Sequence, residues 1–297
     1  MPATTSVVAA RPGVRQVVRD YADLCKFKVQ LLLLTTTVTT MYVAGDPSVG
    51  LVLVTLLGGS LSASGAGAVN HWYDRDIDIQ MPRTADRPVP SGRVAPGHAL
   101  AFGIVLAALA IGVLWIGANP LAAALSFSGF LGYVFVYTMW LKRRTPQNIV
   151  IGGAAGAIPP LVAWAATTGS LNGTALYLFA IVFFWTPPHF WALSLMMKDE
   201  YARVGVPMLP VVRGEDETRK QILLYSVLLY AVTQLLFSTH AFGVVYLAGS
   251  LVLNAILIGM AVQLQRKKDR KHALRLYLYS LLYLALLFGT MVLDARL

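Results

Sequence analysis

Residues 49–78 read VGLVLVTLLGGSLSASGAGAVNHWYDRDID, and this stretch decides the fold. Residues 49–69 carry no charge and are mostly apolar or small. At about 1.5 Å per residue, such a run crosses the roughly 30 Å hydrocarbon core of a bilayer as one helix. The run is continuously apolar rather than alternating, so a barrel strand is excluded. No turn signal separates it from Asn70, and the helix is expected to continue to about Asp78, before Pro82 restricts it.

The rest of the chain repeats the first half of that pattern. Of its 297 residues, 57% are hydrophobic and only 13% charged, against about 25% charged in a soluble domain. Apolar segments fall at approximately 29–46, 49–69, 97–117, 120–141, 148–168, 174–195, 221–239, 243–265 and 274–293. The expected fold is all-α: a polytopic membrane protein with nine transmembrane helices. Residues 29–297 form one domain, preceded by a cytoplasmic tail, 1–28. Residues 1–20 of that tail read as loosely ordered and without an obvious cleavable signal, a short mitochondrial transit peptide being the alternative.

Charge fixes the orientation. Of 24 Lys and Arg residues, 23 fall in the N-terminal tail or in the connections 70–96, 142–147, 196–220 and 266–275; only Arg296 lies elsewhere. Positive charge stays on the cytoplasmic side, so the N-terminus and these loops are expected there. The net charge of +10 belongs to this topology and gives no reason to expect nucleic acid. The lone Cys25 cannot form an internal disulfide and reads as a small packing residue. Gly58-Gly59-Ser60, Ser62–Ala68 and Gly152–Gly156 are small-residue stretches that let membrane helices approach closely.

The polar end of the quoted stretch carries the chemistry. Asn70, Asp74 and Asp78 are spaced i, i+4, i+8, which keeps their oxygens on one helical face. Hard divalent cations such as Mg2+ take one or two carboxylates together with phosphate oxygens and water. Acids at a helix C-terminus oppose its dipole, and a cation would compensate them. Arg83 and Arg87 follow in the same loop, with guanidinium forks suited to phosphate, although each also serves topology. Acids for metal beside bases for phosphate point to a metal-bridged diphosphate.

Two further loops belong to the same surface. Lys142, Arg143 and Arg144 precede Asn148; Lys142 and Arg143 could neutralise a departing diphosphate, or merely mark the cytoplasmic side. His189 follows Pro187 and Pro188 inside an apolar stretch, and an ionisable ring at membrane depth is a functional candidate, though a hydrogen-bonded packing histidine is the bland alternative. Lys198, Asp199, Glu200 and Tyr201 lie about three turns on. Asp199 or Glu200 could bind a second cation, but neither has an acid four residues away. The aromatic residues crowding these regions, among them Trp72, Tyr73 and Trp185, suit an interfacial belt or the stabilisation of a cation.

Three stretches together, NHWYDRDIDIQMPRTADRPVPSG at 70–92, YTMWLKRRTPQNIVIGGAAGAIPPLVAW at 137–164 and FFWTPPHFWALSLMMKDEYARVGVPMLP at 183–210, resemble the protohaem IX farnesyltransferase (haem O synthase) family of the intramembrane aromatic prenyltransferase superfamily. The likeness covers roughly residues 20–295. It implies nine helices around a central cavity with a cytoplasmic-side active site. It further implies Mg2+ and prenyl diphosphate on Asn70, Asp74 and Asp78, and transfer of farnesyl from farnesyl diphosphate to a haem B vinyl group with addition of water. Arg83, Arg87 and Lys142 would assist the leaving group. Arg143, Asn148, His189, Lys198, Asp199 and Tyr201 would lie along the substrates, with His189 against haem. The implied setting is a bacterial inner membrane, or alternatively a mitochondrial one, with a haem A synthase downstream. Many superfamily members repeat the spaced acids in the 183–210 region, and this chain does not. The competing readings are a prenyltransferase acting on a quinone precursor, a membrane transporter, and a structural assembly factor. A transporter would place ionisable residues along a path inside the helices; here they gather at one edge.

Overall fold

The computed structural model describes residues 13–297, so residues 1–12 of the expected tail lie outside it. Among the described residues there are helices and no strands, and nine are long and apolar enough to cross a membrane. They are α2 (Phe27–Ala44), α3 (Val49–Tyr73), α5 (Pro96–Gly117), α6 (Pro120–Leu131) extended by a π-helical segment (Gly132–Leu141), α7 (Asn148–Gly156) running into α8 (Ile158–Thr168), α9 (Gly173–Met196), α12 (Gly214–Ser238), α13 (Val244–Lys267) and α14 (Arg270–Asp294). The shorter helices are α1 (Val14–Cys25), α4 (Arg75–Asp78), α10 (Lys198–Arg203) and α11 (Leu209–Val212). The nine-span expectation and its order are borne out.

Two boundaries differ from the sequence reading. The expected loose tail is helical from Val14, because α1 buries Leu24 and Cys25 and its Asp20 accepts from Arg93 Nε at 2.8 Å. The helix expected to run unbroken to Asp78 instead ends at Tyr73. Asp74 takes φ −85°, ψ 4°, and α4 restarts at Arg75. That sparsely populated backbone region is common at active-site positions. Asn70 and Asp74 still share a face, whereas Asp78 is carried on a separate turn.

Small residues set the tightest contact. A Cβ on Gly65 would sit 2.7 Å from the Gly103 carbonyl oxygen, and one on Gly103 would sit 2.8 Å from that of Gly65. The α3 and α5 backbones therefore touch, and van der Waals packing is what joins helices where lipid removes the hydrophobic drive. At the end of the molecule away from the basic loops, Arg296 pairs with Asp46 and donates to the Gly45 carbonyl at 3.0 Å. The one basic residue outside the charged loops is thus held in an ion pair.

Candidate functional site

Tertiary packing turns the polar end of α3 into a buried cluster. Asn70 and Asp78 are each 3% exposed and Asp74 is fully buried. Burying carboxylates costs several kcal/mol each, on the order of the Born penalty after relaxation, unless they are paired, and each acid here has a base. Lys142 pairs with Asp74 Oδ2. Arg143 reaches Asp74 Oδ1 at 3.3 Å and Asp76 at 2.7 Å while lying over the Tyr73 ring. Arg87 Nη1 meets Asp78 Oδ2 at 2.7 Å. Asn70 donates to Asp74 Oδ2 at 2.6 Å and to Thr138 Oγ1 at 3.3 Å. Hydrogen bonding to Arg143 holds the Asp76 carboxyl below its usual range.

Several of these groups come from the π-helical segment. Its wider turn places Thr138 and Leu141 inward and delivers Lys142 onto Asp74. π-helical geometry is rare and recurs at functional sites. Asn148, which starts α7, is fully buried and donates to the Lys142 carbonyl at 3.2 Å, so it positions the base-bearing turn.

One participant is absent from the sequence-derived set. Lys26 sits between α1 and α2 in the left-handed region (φ 54°), and its Nζ donates to Asn70 Oδ1 at 2.6 Å. Burial first, then Arg87 and Lys142, pull its ammonium down to about 7, against the opposing influence of Asp74 and Asp78. The neighbourhood therefore holds four bases (Arg83, Arg87, Lys142, Arg143) and a partly protonated Lys26 against three acids (Asp74, Asp76, Asp78). It has positive charge to spare for an anion, and an anion beside Lys26 would restore its charge.

An apolar cavity of about 260 Å³ opens beside Lys26. It runs between α2, α3, α6 and the α7–α8 pair, and its wall includes Leu33, Ala63, Phe130, Tyr133 and Val162. The charged cluster and the cavity thus share Lys26 at their junction.

The other sequence candidates divide. Tyr201 is buried against Ile77 and Met81 and close enough to Arg83, Arg87 and Asp74 to feel their charge; burial pushes its hydroxyl up. Arg83 is exposed and has no acidic partner at ion-pair distance among the described residues. Lys198 turns away to Glu215 on α12, at 3.3 Å, and Asp199 is exposed. Glu200 has one carboxylate oxygen, Oε2, that is buried without a partner. Neither Asp199 nor Glu200 has an acid four residues away, so α10 does not repeat the α3–α4 spacing; among the described residues no three His, Cys, Asp or Glu side chains gather at either place.

His189 lies apart from the acids, between the rings of Trp185 and Tyr277, with centroids 4.4 and 4.9 Å away. Its Nδ1 is 2.7 Å from Ser280 Oγ, whose own proton goes to the Tyr277 carbonyl at 2.6 Å. Ser280 must then accept, which assigns the proton to Nδ1 and leaves the Nε2 lone pair free.

The sequence and the fold have counterparts. The UbiA prenyltransferase family matches residues 32–287. A protohaem IX farnesyltransferase of Symbiobacterium thermophilum is 52% identical, covering 94% of this chain and 95% of that protein. One from Chloroflexus aurantiacus is 53% identical over 98% of this chain, which spans about half, 50%, of that protein's length. Among solved structures, a digeranylgeranylglyceryl phosphate synthase superposes with a TM-score of 0.78 at 16% identity, covering 95% of this chain and all of that one. A UbiA homologue from Archaeoglobus fulgidus bound to GPP and Mg2+ gives 0.63 at 15% identity, covering 93% and 98%. These structural likenesses establish the membrane-helix fold. By the length of the family match and the full-span relatives, the chain belongs to the UbiA prenyltransferase family.

Proposed function

We propose that this chain transfers a farnesyl group from farnesyl diphosphate to a vinyl group of haem B, adding water and releasing diphosphate, to give haem O. The observation that carries this reading is the juxtaposition of a base-rich, acid-containing cluster with an apolar cavity at Lys26. An amphiphile with an anionic head and a long apolar tail fits that pair of surfaces. The relatives' shared name supplies the acceptor.

The donor set fits Mg2+. Asn70, Asp74 and Asp78 are all hard oxygen ligands, and two carboxylates with an amide suffice for an ion that brings phosphate oxygens and water of its own. When bound there, the ion would supply Lewis-acid stabilisation of the diphosphate charge. Lys26, Lys142, Arg83 and Arg87 would hold the diphosphate oxygens as the C1–O bond breaks and its electron pair leaves with diphosphate. The mostly apolar cavity wall would keep water from the allylic cation. The vinyl carbon then bonds to C1. The cation left on the porphyrin side takes hydroxyl from water, which releases a proton. The product would pass to a further haem-modifying enzyme, such as a haem A synthase. The expected setting is a bacterial inner membrane with the N-terminus in the cytoplasm, given the one-sided basic loops.

The test is direct. Purified protein with Mg2+ and farnesyl diphosphate is offered haem B or 4-hydroxybenzoate, and products are weighed by mass spectrometry. A farnesyl-plus-water increment on haem B alone is expected; prenylated 4-hydroxybenzoate, or no product with either, overturns the reading.

His189 is the proposed contact to the haem iron, because its free Nε2 is the lone pair an iron would take. His189→Ala is expected to shift the absorption spectrum of added haem. An unchanged spectrum and rate would remove it from the acceptor site.

A further inference from the structure

Cavity depth, measured along the helices that wall it, assigns a ruler for the donor chain. The α2 and α3 helices run antiparallel in a fixed register. Gln30 on α2 bonds Ser60 and Ser64 on α3 at 2.7 and 2.9 Å, and a Cβ on Gly67 would lie 3.0 Å from the Leu24 carbonyl. Lys26 and Gly67 therefore mark the charged mouth, and Thr37 with Thr55 the far end of the lining. The twelve residues from Gly67 to Thr55 correspond to about 18 Å of depth.

An extended carbon chain advances about 1.2 Å per bond. A geranyl chain, with eight backbone carbons, then spans about 8 Å, farnesyl about 13 Å and geranylgeranyl about 18 Å. The third isoprene unit occupies the interval between the first two figures. Gly59 lies eight residues, or about 12 Å, from Gly67 along α3. Gly156, on a second wall, sits nearer the mouth, between Ala155, which faces Gly132, and Ile158, which faces Gly129. Both line the cavity.

These two glycines differ from their neighbours. A Cβ on Gly59 or Gly156 would meet nothing within 4 Å. By contrast, a Cβ on Gly129 would press Ile158 at 3.2 Å, and one on Gly58 would collide with Leu114. At Gly59 and Gly156 the missing side chain leaves cavity and nothing else.

We propose that Gly59 is a specificity-determining residue: its bare position opens the room that the third isoprene unit of the donor fills. This rests on the reading of the cavity as the donor-chain site. Larger side chains there shorten the usable depth without disturbing helix packing, and the preferred donor falls from fifteen carbons to ten.

The experiment compares geranyl, farnesyl and geranylgeranyl diphosphates on the full-length protein, wild type and Gly59→Leu, Gly59→Ala and Gly156→Val. Two readouts are taken: donor affinity without acceptor, by thermal stabilisation, and kcat/KM for transfer to haem B. Wild type should favour farnesyl over geranyl. Gly59→Leu should shift the farnesyl-to-geranyl ratio at least tenfold toward geranyl in both readouts, with Gly59→Ala shifted less, while Gly156→Val, nearer the mouth, should weaken both donors alike. An unchanged ratio in folded Gly59→Leu overturns the proposal, and Gly59→Ala decides it if Gly59→Leu fails to insert. Wild type that stabilises with prenyl diphosphates but modifies no haem would sink the acceptor assignment and leave the ruler standing. Wild type that binds no prenyl diphosphate sinks the donor-site reading itself.

Discussion

Asp74→Asn is expected to lower prenyl transfer by about a thousandfold or more, the loss seen when one preorganised electrostatic group is removed from a site that stabilises developing charge. The carboxylate is fully buried and holds Lys142 and Arg143 as well as the amide of Asn70. Asparagine keeps the volume and an acceptor for Lys142 but removes the charge a cation needs. Alanine does more. It strands two bases around a vacated buried site, and removing one partner of a buried pair costs about 3–5 kcal/mol. Asp74→Ala should therefore lose both turnover and thermal stability, whereas Asp74→Asn should lose turnover with a smaller drop in melting temperature. Initial rates at saturating Mg2+ beside thermal unfolding in detergent separate the two. Retained activity in Asp74→Asn would remove Asp74 from the metal–diphosphate site.

Lys26→Met is expected to reduce kcat/KM for the donor by about a hundredfold, consistent with loss of a charge-assisted contact in a desolvated site. Methionine keeps an unbranched stem of similar length at the mouth of the cavity. Nζ contributes its charge where the polar cluster meets the apolar lining, which is where the phosphate next to the chain would lie. The loss should appear as weaker binding of inorganic diphosphate as well as slower transfer. If diphosphate affinity and transfer are both unchanged, Lys26 serves only to orient Asn70.

Much of this protein is legible one residue at a time. Nine spans follow from run length against bilayer thickness, and the structure returns them with boundaries moved by a few residues, apart from α12, which starts at Gly214 rather than 221. The pairing of Asp74 with Lys142 and Arg143 joins two loops that the sequence had already marked, one acidic and one basic. The gathering of 23 of the 24 Lys and Arg residues in the tail and four connections had placed both on the same side.

Other features needed the fold. Lys198 carries the same charge as Lys142, and both were candidates from sequence, Lys142 for the leaving diphosphate and Lys198 along the substrates. The structure sends one to Asp74 and the other to Glu215, a choice made by the direction of α10 rather than by residue type. Tyr201 gains its place near the acids as part of the buried apolar cluster that also takes in Ile77 and Met81.

Sequence by itself determined the membrane-helix class, the number of spans, the charged surface and the acid motif, because hydrophobic length and helical spacing are local and additive along the chain. Tertiary structure alone decided that Lys26, 44 residues before Asn70, bonds its amide, that Asp74 interrupts its helix, and that an apolar cavity opens beside Lys26 between α2, α3, α6 and the α7–α8 pair. These depend on how helices cross and on one left-handed residue between α1 and α2, and such angles are fixed by packing between distant segments rather than by the residues on either side.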